Sequence, residues 1–256
     1  MERNSSNVSY LQTAGRALEI LNMFQTENSL SLNAIAKGLG VGTTVAYRLV
    51  YTLTAEGFLH QDAASKQYML GDKAMILGFC AVYRNDVKRI AHDLIWQFYE
   101  QTGYSMTMTM LCDMKSLCIE HILSSRTGLT TTMFTGGLYP LHKGASNRVL
   151  LAFMPEDERE AYLAGLGMAA EDEARLRASL DLARRRGYDF TKNDMPGGLF
   201  AIGFPVFNSA NRLVAGISCG GRSVDMTEEL LDRMLGEARA LALQINNRMG
   251  ATCMEF

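Results

Sequence analysis

The side chains best suited to covalent or metal chemistry are five cysteines and four histidines, which lie scattered along the chain. No CxxC pair occurs, and the odd number of cysteines favours reduced thiols over a disulfide framework. Cys112, Cys118 and His121 come closest to a ligand cluster, but their spacing is not a standard zinc pattern and is typical of neighbouring strands. Cys219 and His142 form a nucleophile–base pair only if the fold brings them together. The sequence therefore predicts neither a metal site nor a cofactor.

The sequence also lacks the short motifs of common enzyme classes. It contains no GxxxxGK[ST] phosphate loop, no GxSxG turn, no HExxH pair and no GxGxxG run after a predicted strand. Many enzymes lack such motifs, but this absence, together with the winged helix predicted below, favours a sensor over an enzyme.

The composition is typical of an ordered globular protein. Hydrophobic residues make up 48% of the 256 positions and aromatic residues 9%, which allows one large domain or two small ones. The opening MERNSSNVSYLQ has no apolar run of the kind found in a signal peptide. No stretch reaches the roughly 18 apolar residues of a membrane span. We expect a cytoplasmic protein with no membrane partner.

The stretch from Ser31 to Glu56 has the residue spacing of two helices joined by a tight turn. Apolar residues recur at helical spacing after Ser31, which is suited to cap the first helix. Gly38 and Gly40 can adopt the positive φ that ends a helix in a tight turn. The second helix is predicted to begin near Thr43, with a buried face of Ala46, Leu49, Val50 and Leu53. This pattern indicates either an ordinary helical hairpin or a helix–turn–helix, whose second helix can lie in the major groove of DNA.

Two short strands are predicted directly after these helices. Between Gly57 and Gly71, apolar and polar residues alternate on either side of a polar turn at Asp62 to Lys66. A hairpin at this position makes a winged helix, and its tip can place Lys66 near a phosphate. The spacing therefore favours DNA binding over an unrelated helical hairpin.

The predicted DNA contacts lie at the start of the second helix and at two flanking positions, because base contacts come chiefly from the N-terminal part of a recognition helix. Arg48 is suited to a guanine or to a phosphate. The net charge is −2, and residues 1–79 hold equal numbers of basic and acidic side chains. Each subunit would therefore neutralise few phosphates, and an oligomer is expected. The predicted contacts are Lys37, Thr43, Thr44, Val45, Tyr47, Arg48 and Lys66.

The second half of the chain combines strands and helices. In YSMTMTMLC (104–112), methionines alternate with Ser and Thr, which is the period of a strand. Further strands are predicted at Ser116 to Leu123, Leu199 to Phe207 and Leu213 to Cys219. Helices are predicted at Asp172 to Arg186 and after Thr227. This order indicates an α+β sensor domain.

Most of the chain resembles the IclR family of bacterial transcriptional regulators. The N-terminal likeness is carried by GRALEILNMF (15–24), SLNAIAKGLGV (31–41), YRLVYTLTAEGFL (47–59) and YMLGDKAMILG (68–78). The C-terminal likeness is carried by GGLYPLHKGASNRVLLAF (136–153), RRGYDF (185–190), GGLFAIGFPVF (197–207) and LVAGISCGG (213–221). The resemblance implies an α+β fold with an N-terminal winged helix-turn-helix domain, a linker helix and a C-terminal GAF-like α/β effector-binding domain.

The resemblance also implies where an effector binds. For the amides of Ala145 and Ser146 there is an independent physical reason, because a helix start suits a carboxylate. Ser218 and Thr191 are equally compatible with ordinary strand or loop packing. The positions that match the family's pocket are Thr131, Tyr139, Ala145, Ser146, Thr191, Leu199, Ala201, Ser218 and Gly220.

The chain departs from the family pattern at several of these positions. The family's usual GK after the turn is Asn147-Arg148 here. Thr191, Ala201 and Gly220 stand where family members that bind small oxo acids carry an acidic residue, a Cys and a Ser. A pocket with fewer polar anchors and more room predicts a larger or more apolar effector, such as an aromatic or other organic acid.

Methionines occupy one predicted face of the strand at 104–112. Met is unbranched and polarizable, and it adapts to irregular apolar surfaces. We therefore predict that Met106, with Met108 and Met110 beside it, contributes to the effector pocket.

These interpretations divide the chain into a flexible N-terminus (1–12), a winged helix-turn-helix domain (13–76), a linker helix region (77–88) and an effector-binding domain (89–256). The predicted protein binds a pseudo-palindromic operator in double-stranded DNA as a homodimer or homotetramer. A small-molecule effector controls that binding. Repression and activation both occur in the family, and both remain open.

Two other interpretations also remain open. An enzyme on the C-terminal α/β domain, with a winged helix used only for interaction, would turn over its pocket ligand. A winged-helix module that binds only protein is compatible with the balanced charge of residues 1–79. A steep loss of DNA affinity with salt would exclude that module.

Overall fold

The computed structural model describes residues 9–124 and 133–252, and the chain divides between Tyr83 and Arg84 into two compact units. The N-terminal segment predicted at 1–12 lies mostly outside the described residues. The N-terminal unit has α1 (Gln12–Met23), α2 (Leu32–Leu39), α3 (Thr43–Ala55), β1 (Leu59–Gln61), β2 (Tyr68–Leu70) and α4 (Asp72–Tyr83). The C-terminal unit has α5 (Asp86–Thr102), β3 (Ser105–Cys112), β4 (Lys115–Ile122), β5 (Leu138–Tyr139), α6 (Ala145–Phe153), α7 (Glu156–Gly165), α8 (Ala170–Arg186), β6 (Asp189–Lys192), β7 (Leu199–Phe207), β8 (Leu213–Arg222) and α9 (Glu228–Arg248).

The N-terminal unit is the winged helix that the sequence predicts. The Ser31 hydroxyl accepts a hydrogen bond from the Ala34 amide at 3.2 Å and caps α2. Gly40 ends α2 in the left-handed region with a φ of 64°. β1 and β2 pair antiparallel and form the wing. The face of α3 that packs into the core consists of Ala46, Leu49, Val50 and Leu53, as predicted.

The region predicted as a linker at 77–88 spans the end of one helix and the start of the next. α4 continues to Tyr83, and α5 begins at Asp86. The Asn85 side chain caps α5 by accepting a hydrogen bond from the Lys88 amide at 3.0 Å. The predicted domain boundaries at 76 and 88 stay predictions. None of the helices in the described ranges is both long and apolar enough to cross a bilayer.

The C-terminal unit is an antiparallel sheet with helices on both faces. Within the described residues the strand order is β5-β4-β3-β8-β7-β6. α5 and α9 cover one face over the main hydrophobic core, which includes Met106, Met108 and Ile217. α6 and α8 lie on the other face, over a second core that includes Leu150 and Leu180.

α6 lies unusually close to the sheet because the strands beneath it carry glycines. A Cβ atom at Gly203 on β7 would come within 2.5 Å of the Ala145 carbonyl oxygen. A Cβ atom at Gly216 on β8 would collide with the Ser146 carbonyl oxygen. Any side chain at these two positions would push the first turn of α6 away from the sheet.

A buried ion pair fixes the middle of α6 to β6. The Arg148 Nε donates to Asp189 Oδ2 at 2.6 Å, and a second guanidinium nitrogen donates to the Ser179 hydroxyl at 2.7 Å. The Asp189 residue is only 4% exposed. Burial raises the pKa of Asp189, and the neighbouring Arg148 opposes that rise.

We expect Asp189→Ala to lower the free energy of unfolding of the C-terminal unit by about 3–5 kcal/mol, because Arg148 would stay buried without its carboxylate. Trp96, the one tryptophan of the chain, lies on α5, so its fluorescence follows this unit during urea denaturation. The matched control is Asp225→Ala, which breaks the exposed pair with Arg222 and should leave the unfolding midpoint nearly unchanged. Equal shifts for the two variants would contradict the role given to the buried pair.

Candidate functional site

The exposed side of the winged helix carries all the residues predicted to contact DNA. The opposite face of α3 is buried in the core. Within the described residues, the three predicted cations form no ion pair and remain available to phosphates. The exposed predicted residues are Lys37, Thr43, Thr44, Val45, Tyr47, Arg48 and Lys66.

Tyr51 is an exposed aromatic residue of α3 that is not among the predicted DNA contacts. The ring of Tyr51 lies 6.3 Å, centroid to centroid, from the ring of Tyr47. Both rings line a shallow hollow on the exposed face of α3 together with Val45 and Arg48. The spacing of four residues from Tyr47 was the available signal, because it places the two side chains on one helix face.

The tip of the wing is held in shape by its own side chains. The Asp62 carboxylate accepts hydrogen bonds from the Ser65 amide at 2.6 Å and from the Ser65 hydroxyl at 2.7 Å. These bonds hold the pKa of Asp62 below its ordinary value. Lys66 adopts a φ of 57°, and its carbonyl oxygen accepts a hydrogen bond from Gln61 Nε2 at 2.9 Å. The backbone that presents the Lys66 side chain is therefore ordered by local contacts.

The C-terminal unit contains a cavity between the sheet and the start of α6. Most of the predicted effector residues line it, namely Ala145, Ser146, Thr191, Leu199, Ala201, Ser218 and Gly220. The other described lining residues were not predicted, and they are Ser105, Thr107, His121, Leu123, Met133, Gly144, Met195, Phe200 and Gly221. Gly144, Phe200 and Gly221 are direct neighbours of predicted residues. The others come from elements far apart in the chain, and no local motif marks them.

Three predicted effector residues, Met106, Thr131 and Tyr139, are not among the described lining residues. Thr131 lies outside the described residues. Tyr139 lies on β5, and its hydroxyl accepts a hydrogen bond from the Phe134 amide at 2.9 Å. The roles of Thr131 and Tyr139 in effector binding stay predictions.

The structure corrects the placement of Met106. Its side chain is 1% exposed and packs with Met108 in the core beneath α5 and α9. Because successive side chains of a strand point to opposite faces, Ser105 and Thr107 face the cavity instead. The apolar face of β3 forms the core, and its hydroxyl face lines the cavity.

α6 begins at the cavity without a side-chain cap in the described residues. Gly144, the residue before the helix, has a φ of 84°, and its amide donates to Asp194 Oδ2 at 2.7 Å. Ala145 is 2% and Ser146 3% exposed, so their amides are buried beside the cavity. The first amides of a helix have no acceptor within the helix and carry its positive dipole end. This end of the cavity therefore suits an anion.

His121 is the one ionisable side chain among the described residues that line the cavity. Its Nδ1 lies 3.0 Å from the Thr107 hydroxyl. Its Nε2 is buried and has no hydrogen-bond partner in the described part of the chain. Burial lowers the pKa of His121, so the imidazole is neutral at pH 7.

The structure does not bring the reactive side chains together. Cys219 is buried in the main core, and burial raises its pKa to about 12. His142 Nδ1 lies 2.8 Å from the Tyr162 hydroxyl and belongs to another part of the unit. Burial also raises the pKa of Cys118 to about 12. In the ranges that the structure describes, no three His, Cys, Asp or Glu side chains converge as metal ligands would.

A winged helix with an exposed recognition helix, followed by an α/β unit with a cavity at a helix start, defines a ligand-sensing DNA-binding regulator. Residues 13–63 match the family model of the IclR helix-turn-helix domain, and residues 79–247 match that of the bacterial transcriptional regulator IclR C-terminal domain. The chain belongs to the IclR family of bacterial transcriptional regulators.

Curated relatives and solved structures agree with this assignment over nearly the whole chain. The regulator KipR of Bacillus subtilis is 29% identical over 94% of this chain and 98% of its own length. An IclR regulator from Alicyclobacillus acidocaldarius superposes with a TM-score of 0.80 at 25% identity, over 94% of this chain and all of that one. An IclR homologue from Microbacterium hydrocarbonoxydans, complexed with 4-hydroxybenzoate, has a TM-score of 0.76 at 17% identity and covers 92% of this chain and 99% of its own. These likenesses confirm the predicted α+β fold.

We expect Arg48→Ala to weaken specific operator binding by about 1–3 kcal/mol, because an exposed recognition-helix arginine contacts a base or a phosphate. Fluorescence anisotropy with a labelled operator fragment at fixed salt measures the change. Arg89→Ala is the matched control, since it removes the same charge from a residue of α5 that is paired with Asp86. Unchanged affinity for Arg48→Ala, or an equal loss in the control, would refute the assignment.

Proposed function

We propose that this regulator responds to a small organic acid whose carboxylate binds at the start of α6. The observation that carries the proposal is the buried, uncapped helix start at Ala145 and Ser146. Buried amides are nearly always paired in native proteins, and a ligand carboxylate supplies both the acceptor and the negative charge. The interaction needs no cationic side chain.

The remaining walls favour an aromatic acid. Leu123, Leu199 and Phe200 provide apolar surface, and Met195 can adapt to a ring. Ala201, Gly220 and Gly221 leave room at the sheet. The solved neighbour that binds 4-hydroxybenzoate has the same fold, so this fold accommodates an acid of that class.

We propose that the cavity binds its ligand without turnover. The neutral His121 contacts the Thr107 hydroxyl, and among the described residues no carboxylate orients it as a general base. The effector then acts by binding two arrangements of the chain with different affinities, which shifts the balance between them. A regulator of operator DNA works in the cytoplasm, and we propose that location for this chain.

We also propose that the chain acts as a homodimer or homotetramer held partly through α4. After Lys73, α4 contains no charged residue up to its end at Tyr83. Met75, Ile76, Leu77 and Phe79 are each more than half exposed in the single chain. A helix that is apolar all round is stable only when it is covered, and a second copy would cover it. Two recognition helices would then meet two operator half-sites.

We expect Ala145→Pro to abolish carboxylate binding while the unit stays folded. Proline removes the amide donor of residue 145, and it is well tolerated at the first position of a helix. Isothermal titration with benzoate measures the binding. Ala170→Pro, at the exposed first position of α8, is the matched control and should bind benzoate normally. Normal benzoate binding by Ala145→Pro would sink the proposed carboxylate site.

We expect Phe79→Glu to shift the purified protein toward monomer, because a charge would be buried in the apolar contact between α4 helices. Light scattering coupled to size-exclusion chromatography measures the mass over a dilution series. Val224→Glu is the control, because Val224 is 84% exposed and belongs to the C-terminal unit rather than to α4. An unchanged mass for Phe79→Glu, or the same shift in the control, would show that α4 does not hold the oligomer.

A further inference from the structure

A row of side chains crosses the sheet at the cavity. In the strand register, His121 on β4 lies opposite Thr107 on β3, and Thr107 lies opposite Ser218 on β8. Ser218 in turn lies opposite Gly203 on β7, the glycine beneath the start of α6. Paired residues point to the same face of a sheet, so His121 and the start of α6 stand at two ends of one row.

The strand spacing sets the length of that row. Neighbouring strands lie about 4.8 Å apart, so β4 is roughly 10 Å from β8 and 14 Å from β7. A carboxylate at α6 and a contact at His121 are therefore separated by about the length of a single aromatic ring with a polar group at each end. An oxo acid of two or three carbons is too short to reach both.

His121 differs from the other described lining residues in its hydrogen bonding. The Ser105 hydroxyl accepts a hydrogen bond from the Ser124 amide at 3.0 Å. Among the described lining residues, His121 is the one with a buried polar atom that lacks a partner. Buried polar atoms in native structures nearly always have a hydrogen-bond partner, so an unpaired Nε2 beside a cavity needs an explanation. Leu123 and Met195 line the same cavity, and the unbranched side chain of Met195 can adapt to a ligand.

We propose that His121 is a specificity residue whose Nε2 pairs with a hydroxyl group on the effector, so that the effector is a hydroxylated aromatic acid. The inference rests on the proposed carboxylate site at α6 and adds the group that reads the other end of the ligand. A neutral imidazole with Nδ1 engaged by Thr107 has one ring nitrogen left for a single hydrogen bond. Methyl and unsubstituted analogues would leave Nε2 unpaired.

The test is calorimetric titration of the full-length protein with a matched panel of acids. The panel contains benzoate, 3- and 4-hydroxybenzoate, and 3- and 4-methylbenzoate. We expect the wild type to bind one hydroxy acid at least about tenfold more tightly than its methyl counterpart, because a lost hydrogen bond leaves a buried polar atom unpaired. His121→Phe should remove this preference while it retains benzoate binding.

Three further variants test whether His121 contacts the ligand hydroxyl or has only a structural role. His121→Gln places an amide near the position of Nε2 and should restore part of the hydroxyl preference. Thr107→Val removes the partner of Nδ1 and should weaken the preference without abolishing benzoate binding. His92→Phe changes a histidine of α5 that pairs with Glu120 and does not line the cavity, so it should keep the full preference.

The outcomes distinguish this inference from the proposed function. A wild type that binds benzoate but shows no hydroxyl preference, or a His121→Phe variant that keeps the preference, would overturn the role of His121 alone. Failure of the wild type to bind any acid of the panel would reject the carboxylate site and this inference together. If His121→Phe does not fold, the comparison of wild type, His121→Gln and Thr107→Val still tests whether His121 sets the hydroxyl preference. Nitrogen chemical shifts of the His121 ring, which should change with the hydroxy acid but not with the methyl acid, give a second readout.

Discussion

The contact between α6 and the sheet is the constraint on which the C-terminal unit depends. Gly203 and Gly216 allow the main chain of α6 to approach the strands, and any Cβ atom there would prevent it. The Arg148–Asp189 pair then fixes the next turn of the helix to β6. As a result, the amides of the first turn are buried at a cavity, where the helix dipole acts in a medium of low dielectric constant. None of these four residues is among the described residues that line the cavity, yet together they hold the start of α6 beside it.

The alternation of β3 and β4 divides core from cavity in single-residue steps. Met106 and Met108 point into the core, while Thr107 between them faces the cavity. On β4, Glu120 faces α5, where its carboxylate lies 3.1 Å from Lys88 Nζ, and the next residue, His121, lines the cavity. β4 therefore carries a cavity residue, His121, next to a residue that pairs with α5, Glu120.

Local signals predicted the winged helix, whereas the cavity depended on contacts that no local signal contains. Ser31 and Gly40 mark the ends of α2 through chemistry confined to a few neighbouring residues, and the structure confirms both. The period-two pattern of β3 was also read correctly, but it does not say which face is covered by helices. Met106 was placed on the ligand side because its chemistry suits a ligand, although the apolar face of a strand usually packs into the core. β6, which supplies Asp189 and Thr191, was not predicted, and the significance of His121 arises from its register with β3 and its lack of a partner.

The winged helix and the proposed effector site differ in the groups that they offer to a negatively charged ligand. The winged helix presents Lys37, Arg48 and Lys66 in solvent, where charges cost little to maintain and each phosphate contact releases counterions. The proposed effector site offers amide dipoles and a neutral imidazole, because an unpaired cation buried there would be costly. Arg148, the nearest buried cation to the start of α6 along the helix, is already neutralised by Asp189. Salt screens exposed charges far more than buried ones, so DNA affinity should fall with ionic strength while effector affinity changes little. We therefore expect ionic strength to change the affinity of the regulator for DNA more than its affinity for the effector.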